Sequence, residues 1–554
     1  MTNRTRARST WPVAATLAVA LLAVAACGSS GSNQDSSSQA TAAPTSGVAG
    51  AQTSGPPDGT TPQIGGKVVY GMEAEADGVD PSRLPLAVSG NLLASAVFDS
   101  LVTLDADGNN VPYLAKSIEP SADYKTWTIT LPAGLTFTSG TPLDAEAVKA
   151  NLEAYRKSAV SGAALKVISD VKVTDPTTVV VSLSIPWVRF NDAFGTQIAY
   201  VMDPAMLADP TLGLKPIGSG PFIFDSHTTN ESWSFKRNPN FRLPNLPRLD
   251  AIEFRPIPDD AARLAALESG DVDIMQTNRP DQILQLRDNT TYKKVEFSNG
   301  EKDFLVMNTT KPPFDNLKAR QAVAYGANVP AWLSDVNKGV KPPAYGPMVP
   351  GQPGYQPGNT TGLPQYDPAK AKQLAQEYQA ETGKPLEFEY VARDDTSSLR
   401  DAQFFVQNWT DAGMKVTLKG YPQTQLIAQT ATGNYQLSEW RLFGMPDPDA
   451  DSYFWRSSSI VPAPGVSLNF PRYSSPEVDA ALDTAVGTTD EATRAQAYTT
   501  LQDNFGKNVP YLWLGRTDWM MAASPSVNGI YVSVNGSIQT LGPKTWLAEL
   551  WKSR

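Results

Sequence analysis

Only one cysteine occurs among the 554 residues, and it stands at position 27, directly behind an uncharged apolar run, residues 11–26. A lone cysteine permits no intramolecular disulfide, thiolate cluster or Cys-x-x-Cys pair. The single histidine, His227, cannot supply a multi-histidine zinc or iron site. The chain is therefore expected to hold its shape by burial alone, with no metal site and no cofactor. At about 100–200 residues per domain the length leaves room for two to four domains, and 41% hydrophobic residues is an ordinary globular fraction. With 46 Lys and Arg against 56 Asp and Glu, the surface must on balance repel phosphate backbones, so no nucleic-acid partner is expected.

Arg4, Arg6 and Arg8 precede the apolar run, which is the layout of a signal peptide, residues 1–26. The run has 16 residues, short of the ~20 that span a bilayer as a helix. Val24-Ala25-Ala26-Cys27 resembles the bacterial lipobox, so Cys27 is expected to be lipidated and to become the mature N-terminus. Two acyl chains on one residue suffice for stable anchoring. Cleavage there removes three arginines and no acid, leaving a more acidic protein. Behind Cys27, every residue from 28 to 64 except Val48 and Ile64 is Gly, Ser, Thr, Ala, Pro, Asn, Gln or Asp. Such a segment buries no core and reads as a disordered tether, residues 27–64, with a reach of roughly 30–37 Å.

Beyond Gly65-Gly66 the texture changes. Apolar residues recur at every second position in residues 124–131, and residues 177–184 are rich in Val and Thr, so both segments are expected to be strands. Helices are expected after Asp144, after Asp367-Pro368 with a stop near Gly383, after Ser475-Pro476 and after Asp490, each with an apolar stripe. Strands and helices alternate without a repeat period, which points to a mixed α/β (α+β) fold. Gly218-Ser219-Gly220-Pro221 reads as a structural turn needing positive φ.

Chemistry-bearing motifs are missing. There is no Gly-x-Ser-x-Gly elbow and no Gly-x-x-x-x-Gly-Lys loop, and any Ser-His-Asp triad would have to use His227, read here as a surface or turn residue. No catalytic residue is assigned, and an enzyme is not expected.

Ordered motifs make the chain resemble the extracellular solute-binding protein family 5, the peptide-type receptors of ABC importers. They begin with Gly65-Gly66-Lys67-Val68-Val69-Tyr70 and Phe98-Asp99-Ser100-Leu101-Val102, and continue through Tyr124-Lys125-Thr126-Trp127-Thr128-Ile129-Thr130-Leu131 to Gly140-Thr141-Pro142-Leu143-Asp144. Gly218-Ser219-Gly220-Pro221-Phe222, Gly270-Asp271-Val272-Asp273-Ile274, Met307-Asn308-Thr309, Trp440 with Asp447-Pro448-Asp449, and Tyr473-Ser474-Ser475-Pro476-Glu477-Val478-Asp479 follow. The resemblance implies a bilobed, periplasmic-binding-protein-like clamshell. Its first lobe would be discontinuous, spanning residues 65–310 with an accessory subdomain at about 110–205. The second lobe would span 311–505, and residues 506–554 would return to the first.

It also implies a function: a lipid-anchored, monomeric receptor on the outer membrane face that encloses a peptide or peptide-sized ligand and passes it to permease subunits. In peptide-binding relatives the ligand backbone pairs with a strand from each lobe, which maps here to Asp99, Ser100 and Leu101 and to Glu439, Trp440 and Arg441. The aspartate that holds the ligand's α-ammonium in relatives is replaced by Phe443, so Asp447, Asp449 or Glu439 takes over the amine, or the ligand lacks one. Asp447-Pro448-Asp449 equally reads as a turn-shaping element. Trp440, Phe443, Tyr453, Phe454 and Trp455 read either as a cleft lining or as core. Two alternatives stay open: the same fold with a glycoconjugate, a metal chelate or a haem ligated by His227, and an envelope regulatory lipoprotein that imports nothing.

Overall fold

Four helices start at the side chain that the sequence supplies to cap them. Asp144 accepts from the amides of Glu146 and Ala147, Asp367 from Lys370, Ser475 from Val478 and Asp490 from Thr493. Gly383, at φ +72°, ends the second of them. The computed structural model describes residues 61–104, 110–442, 447–530 and 546–553. The signal segment, Cys27, all but the last four residues of the tether, and Phe443 lie outside the described residues.

The principal strands are β1 (Lys67–Met72), β2 (Ser117–Pro120), β3 (Thr126–Thr130), β4 (Ile168–Asp175), β5 (Thr178–Leu183), β6 (Phe222–Thr228), β7 (Ser232–Arg237), β8 (Ala251–Pro256), β9 (Ile274–Thr277), β10 (Lys293–Met307), β11 (Glu387–Arg393), β12 (Lys415–Tyr421), β13 (Leu437–Leu442) and β14 (Tyr511–Ala523). The principal helices are α1 (Val88–Val97), α2 (Ala145–Lys157), α3 (Leu317–Gly326), α4 (Pro368–Thr382), α5 (Thr396–Asp411), α6 (Gln423–Ala431), α7 (Pro476–Gly487) and α8 (Glu491–Asn508). Ten strands form one mixed sheet in the order β12-β11-β13-β10-β14-β9-β1-β8-β7-β6. A separate four-stranded sheet, β2-β3-β5-β4, carries the two strands legible as alternating patterns, with Trp127 and Ile129 of β3 buried.

β10 and β14 are the longest strands and pair antiparallel along most of their length. Phe297 faces Trp519 in one half of the ladder, and Phe304 and Leu305 face Trp513 and Leu512 in the other. The register shifts between Ser298 and Lys302 and again between Asp303 and Phe304, and such bulges re-aim the side chains around them. On the far side of the shift, strand alternation separates two cores. Leu305 and Met307 join Val323 of α3, Phe405 and Trp409 of α5 and Phe388 of β11, while Phe304 and Val306 join Leu482 of α7, Leu501 and Phe505 of α8 and Trp513. A third core holds Tyr70, Trp127, Phe190, Trp233 and Trp519.

Gly218 and Gly220 correct one sequence expectation. Neither adopts positive φ. A Cβ on Gly218 would fall 2.2 Å from the carbonyl oxygen of Val97, and one on Gly220 would fall 2.5 Å from the Val97 carbonyl carbon. The amide of Gly220 donates to Val97 O at 2.7 Å, so the glycines are there to let two backbones touch.

Candidate functional site

A cavity of about 250 Å³ lies where the third core meets the two that flank the far end of β10. Leu86, Trp187 and Ile198 close it from one side. Phe304 of β10, Tyr390 and Arg393 of β11, Asp401 and Phe405 of α5, Ile427 of α6 and Glu439–Leu442 of β13 close it from the other. Its walls are mainly apolar, with a few convergent polar groups, the usual make-up of a small-molecule site.

One wall is aromatic. Trp440 meets Phe470 with ring centroids 4.4 Å apart, Phe454 meets Phe470 at 5.6 Å, and Tyr453 meets Phe454 at 4.3 Å. Of the aromatic set read from sequence, Trp440, Tyr453 and Phe454 line the cavity, whereas Trp455 is core.

The polar groups are held by β13 and its surroundings. Glu439 Oε1 accepts from the Arg393 amide at 2.9 Å and from its Nε at 3.0 Å. Burial opposes the charge of Arg393, but Glu439, Asp395 and Glu73 outweigh it and raise its pKa. Arg441 Nη2 donates to Glu73 at 3.0 Å, its Nε lies 3.4 Å from Glu301, and its guanidinium covers the Trp519 ring at 4.9 Å. Burial pushes Glu301 up to about 7 against the pull of Arg441. β13 pairs fully with β10, but its ladder with β11 covers only Leu437 and Ser438. Among the described residues, 439–442 therefore have a strand partner on one side only.

The other residues read from sequence lie elsewhere. Asp99, Ser100 and Leu101 are buried and do not line the cavity. Asp99 Oδ2 accepts from Ser219 at 3.1 Å and Arg242 at 3.3 Å; burial raises its pKa against the pull of Arg242. Ser100 bridges to Tyr200, and the amide of Leu101 donates to Ala199. Asp447 caps the turn Pro448–Phe454 by accepting from Asp449 N at 2.9 Å, and both its oxygens receive Arg494 Nη2, at 2.8 and 2.9 Å. Asp449 accepts from Tyr498 Oη, and its Oδ2 lies 3.2 Å from Arg494 Nη2 but off the hydrogen-bonding direction, so that contact is coulombic. His227 stacks on Trp233 at 3.7 Å, away from the cavity. Arg279, Trp332, Lys341 and Asp401 also line the cavity; they come from three separate stretches of the chain, and no local motif joins them.

A model of the bacterial extracellular solute-binding proteins, family 5 (Middle), matches residues 109–462. The chain belongs to this family. Among curated relatives, the glutathione-binding protein GsiB of Pectobacterium atrosepticum is 28% identical over 460 residues, 79% of this chain and 87% of the relative. Among solved structures, the periplasmic binding protein AgaA of A. tumefaciens R10, in complex with agropinic acid, superposes with a TM-score of 0.78 at 25% identity, covering 88% of this chain and 99% of AgaA. AppA, the oligopeptide-binding protein of Bacillus subtilis solved with a nonapeptide, gives 0.79 at 19% identity over 89% of this chain and 100% of AppA. The fold is thus the bilobed family 5 clamshell, and the chain is a substrate-binding protein of an ABC importer. No helix among the described residues is long and apolar enough to cross a membrane.

Proposed function

We propose that this family 5 receptor captures a short peptide or a solute of that size, while tethered to the outer membrane face through lipidated Cys27, and hands it to a permease. The open edge of β13 beside the cavity carries the reading: residues 439–442 have unpaired strand positions on the side facing the enclosed space. An extended ligand backbone can add there as a further strand, with Trp440 and its aromatic neighbours taking a side chain. Asp99, Ser100 and Leu101 support the cleft from behind, and Asp447 and Asp449 shape the turn that brings Tyr453 and Phe454 to it. A cavity of about 250 Å³ sits just under the usual range of ~300–1,000 Å³ for small-molecule sites, which fits a ligand of dipeptide or tripeptide size better than a long oligopeptide. The relative GsiB is named as a glutathione-binding protein. His227 does not line the cavity, so haem ligated by it finds no support.

Native mass spectrometry of protein purified from its own membranes tests the reading. Co-purified peptides of two to four residues are expected. A protein free of adducts, and unmoved in melting temperature by dipeptide and tripeptide libraries, would sink it. In the same cells a Cys27→Ser variant should move from the membrane fraction to the soluble one, and continued membrane retention would remove the anchor.

A further inference from the structure

Among the described residues the cavity wall carries four cations, Arg279, Lys341, Arg393 and Arg441, and four anions, Asp303, Asp401, Glu439 and Asp451. Each is already engaged by an opposite charge. Lys341 Nζ donates to Asp303 Oδ2 at 2.5 Å and Arg393 Nε to Glu439 Oε1 at 3.0 Å, so two pairs close within the wall itself. The others reach outward. Arg279 donates to Asp260 Oδ2 at 2.6 Å and to Asp395 Oδ1 at 2.9 Å, and Arg441 donates to Glu73 Oε1 at 3.0 Å. Asp401 Oδ1 accepts from Arg400 Nη2 at 3.3 Å, and the charges of Lys341 and Arg279 act on it as well. Asp451 attracts the buried Lys302, whose Nζ donates to Pro347 O at 2.7 Å. Phe443, Gly444, Met445 and Pro446, which follow β13 in the chain, add no charge.

A counter-ion bonded inside a low-dielectric wall can serve a guest only by abandoning its first partner, and breaking such a pair strands a buried charge. An ammonium entering this space would draw Asp303 from Lys341 or Glu439 from Arg393 and leave a cation behind. A carboxylate would force the reverse exchange. An uncharged solute requires neither. Its amides still need partners, and the edge of β13 at residues 439–442, open among the described residues, offers main-chain donors and acceptors that carry no charge. The strip of Trp440, Phe454 and Phe470 takes the apolar remainder.

We propose that the cavity selects solutes with no ionised group: an amide of dipeptide size whose ends are blocked or closed on each other, in preference to a linear peptide with free termini. The inference rests on the peptide-sized-solute reading and narrows it, because the strand edge remains the recognition element and only the terminal charges are excluded. Specificity then comes from what the wall withholds. A pocket whose ionic groups satisfy one another makes every charge on a guest unfavourable, while main-chain pairing and aromatic contact stay available to a neutral one.

Four forms of one dipeptide, glycyl-phenylalanine, make the test: both ends free, the amide with only its amine free, the N-acetyl acid with only its carboxylate free, and the N-acetyl amide with neither. Isothermal titration of the full mature protein should show the doubly blocked form binding at least tenfold more tightly than each of the other three. Lys341→Met leaves Asp303 without its lysine and should raise affinity for the amine-bearing amide, relative to the doubly blocked form, at least fivefold. Glu439→Gln keeps an acceptor for the Arg393 amide but removes the charge, and should do the same for the N-acetyl acid. Should Lys341→Met fail to fold, Glu439→Gln carries the test. Equal affinity for the four forms, preference for a charged one, an order that neither variant changes, or silence toward all four overturns the proposal. In that event, binding of any form or of the dipeptide and tripeptide libraries leaves the peptide receptor standing, and silence toward every peptide removes both.

Discussion

Arg189 Nε lies 3.2 Å from Asp447 Oδ2, and this pair joins two different cores. Arg189 precedes the helical turn of Phe190 and Phe194, which pack with Trp127 in one core, whereas Asp447 caps the turn leading to Trp455 in another. Arg189 also reaches Glu491 at 3.0 Å, and the amide of Val188 donates to Val486 O at 3.1 Å. Because Arg189 is 39% exposed, solvent screens the pair. Arg189→Ala should speed ligand release by a factor of about 2–5, matching the ~0.5–1 kcal/mol of a screened pair. Stopped-flow dissociation should show the difference shrinking in high salt; a difference that persists there would place the latch elsewhere.

The same junction titrates. Asp192 is pushed up to about 6 and Asp449 up to about 7, in both cases first by burial and then by the charge of Asp447, with Arg189 and Arg494 opposing the shift for Asp192, and Arg494 and Tyr498 for Asp449. A free aspartate titrates near ~3.9, so between these values the folded protein holds protons that the unfolded chain has released. The contribution is full below about pH 4 and is lost as pH rises through 6 to 7. Asp449→Asn removes part of it. Its melting temperature relative to wild type should be more favourable at pH 8 than at pH 5, and parallel pH profiles would contradict the assignment.

Gly220→Ala drives a methyl into the Val97 backbone and should destabilise by about 1–3 kcal/mol or more, because backbone cannot give way as a side chain can. Gly134→Ala, at φ +79° with nothing within 4 Å of the added Cβ, should cost only about 1 kcal/mol. Chemical denaturation of the two variants checks the order.

Trp440→Ala removes the ring that faces Phe470 across the cavity wall. Affinity for the co-purified ligand should fall at least tenfold, about 1.4 kcal/mol, with the melting temperature of the empty protein little changed. Trp455→Ala, in the core, should do the reverse and lower stability before affinity.

What the sequence made legible was local. Asp144, Asp367, Ser475 and Asp490 cap helices because a short polar side chain reaches an amide two or three residues on, and that reach is written in the order of residues. Trp127 and Ile129 alternate inward because the strand period is two. The aromatic strip around Trp440 was likewise visible as a cluster. The polar groups of the cavity were not, since Arg279, Trp332, Lys341 and Asp401 converge only after the segment behind β9, the stretch between α3 and α4, and α5 have packed. The glycines at 218 and 220 stand out in the sequence but their reason does not, because a close approach of two segments about 120 residues apart leaves the same mark in a sequence as a tight turn does.

β10 and β14 run continuously past the register slip and contribute side chains to different cores on either side of it. A change of angle between those cores would be taken up as bend and twist of a hydrogen-bonded ribbon whose register slips near Glu301 and Lys302. Those two buried ionisable groups thus sit where the ribbon passes from one core to the next, so flexing there would move charges that burial already disfavours.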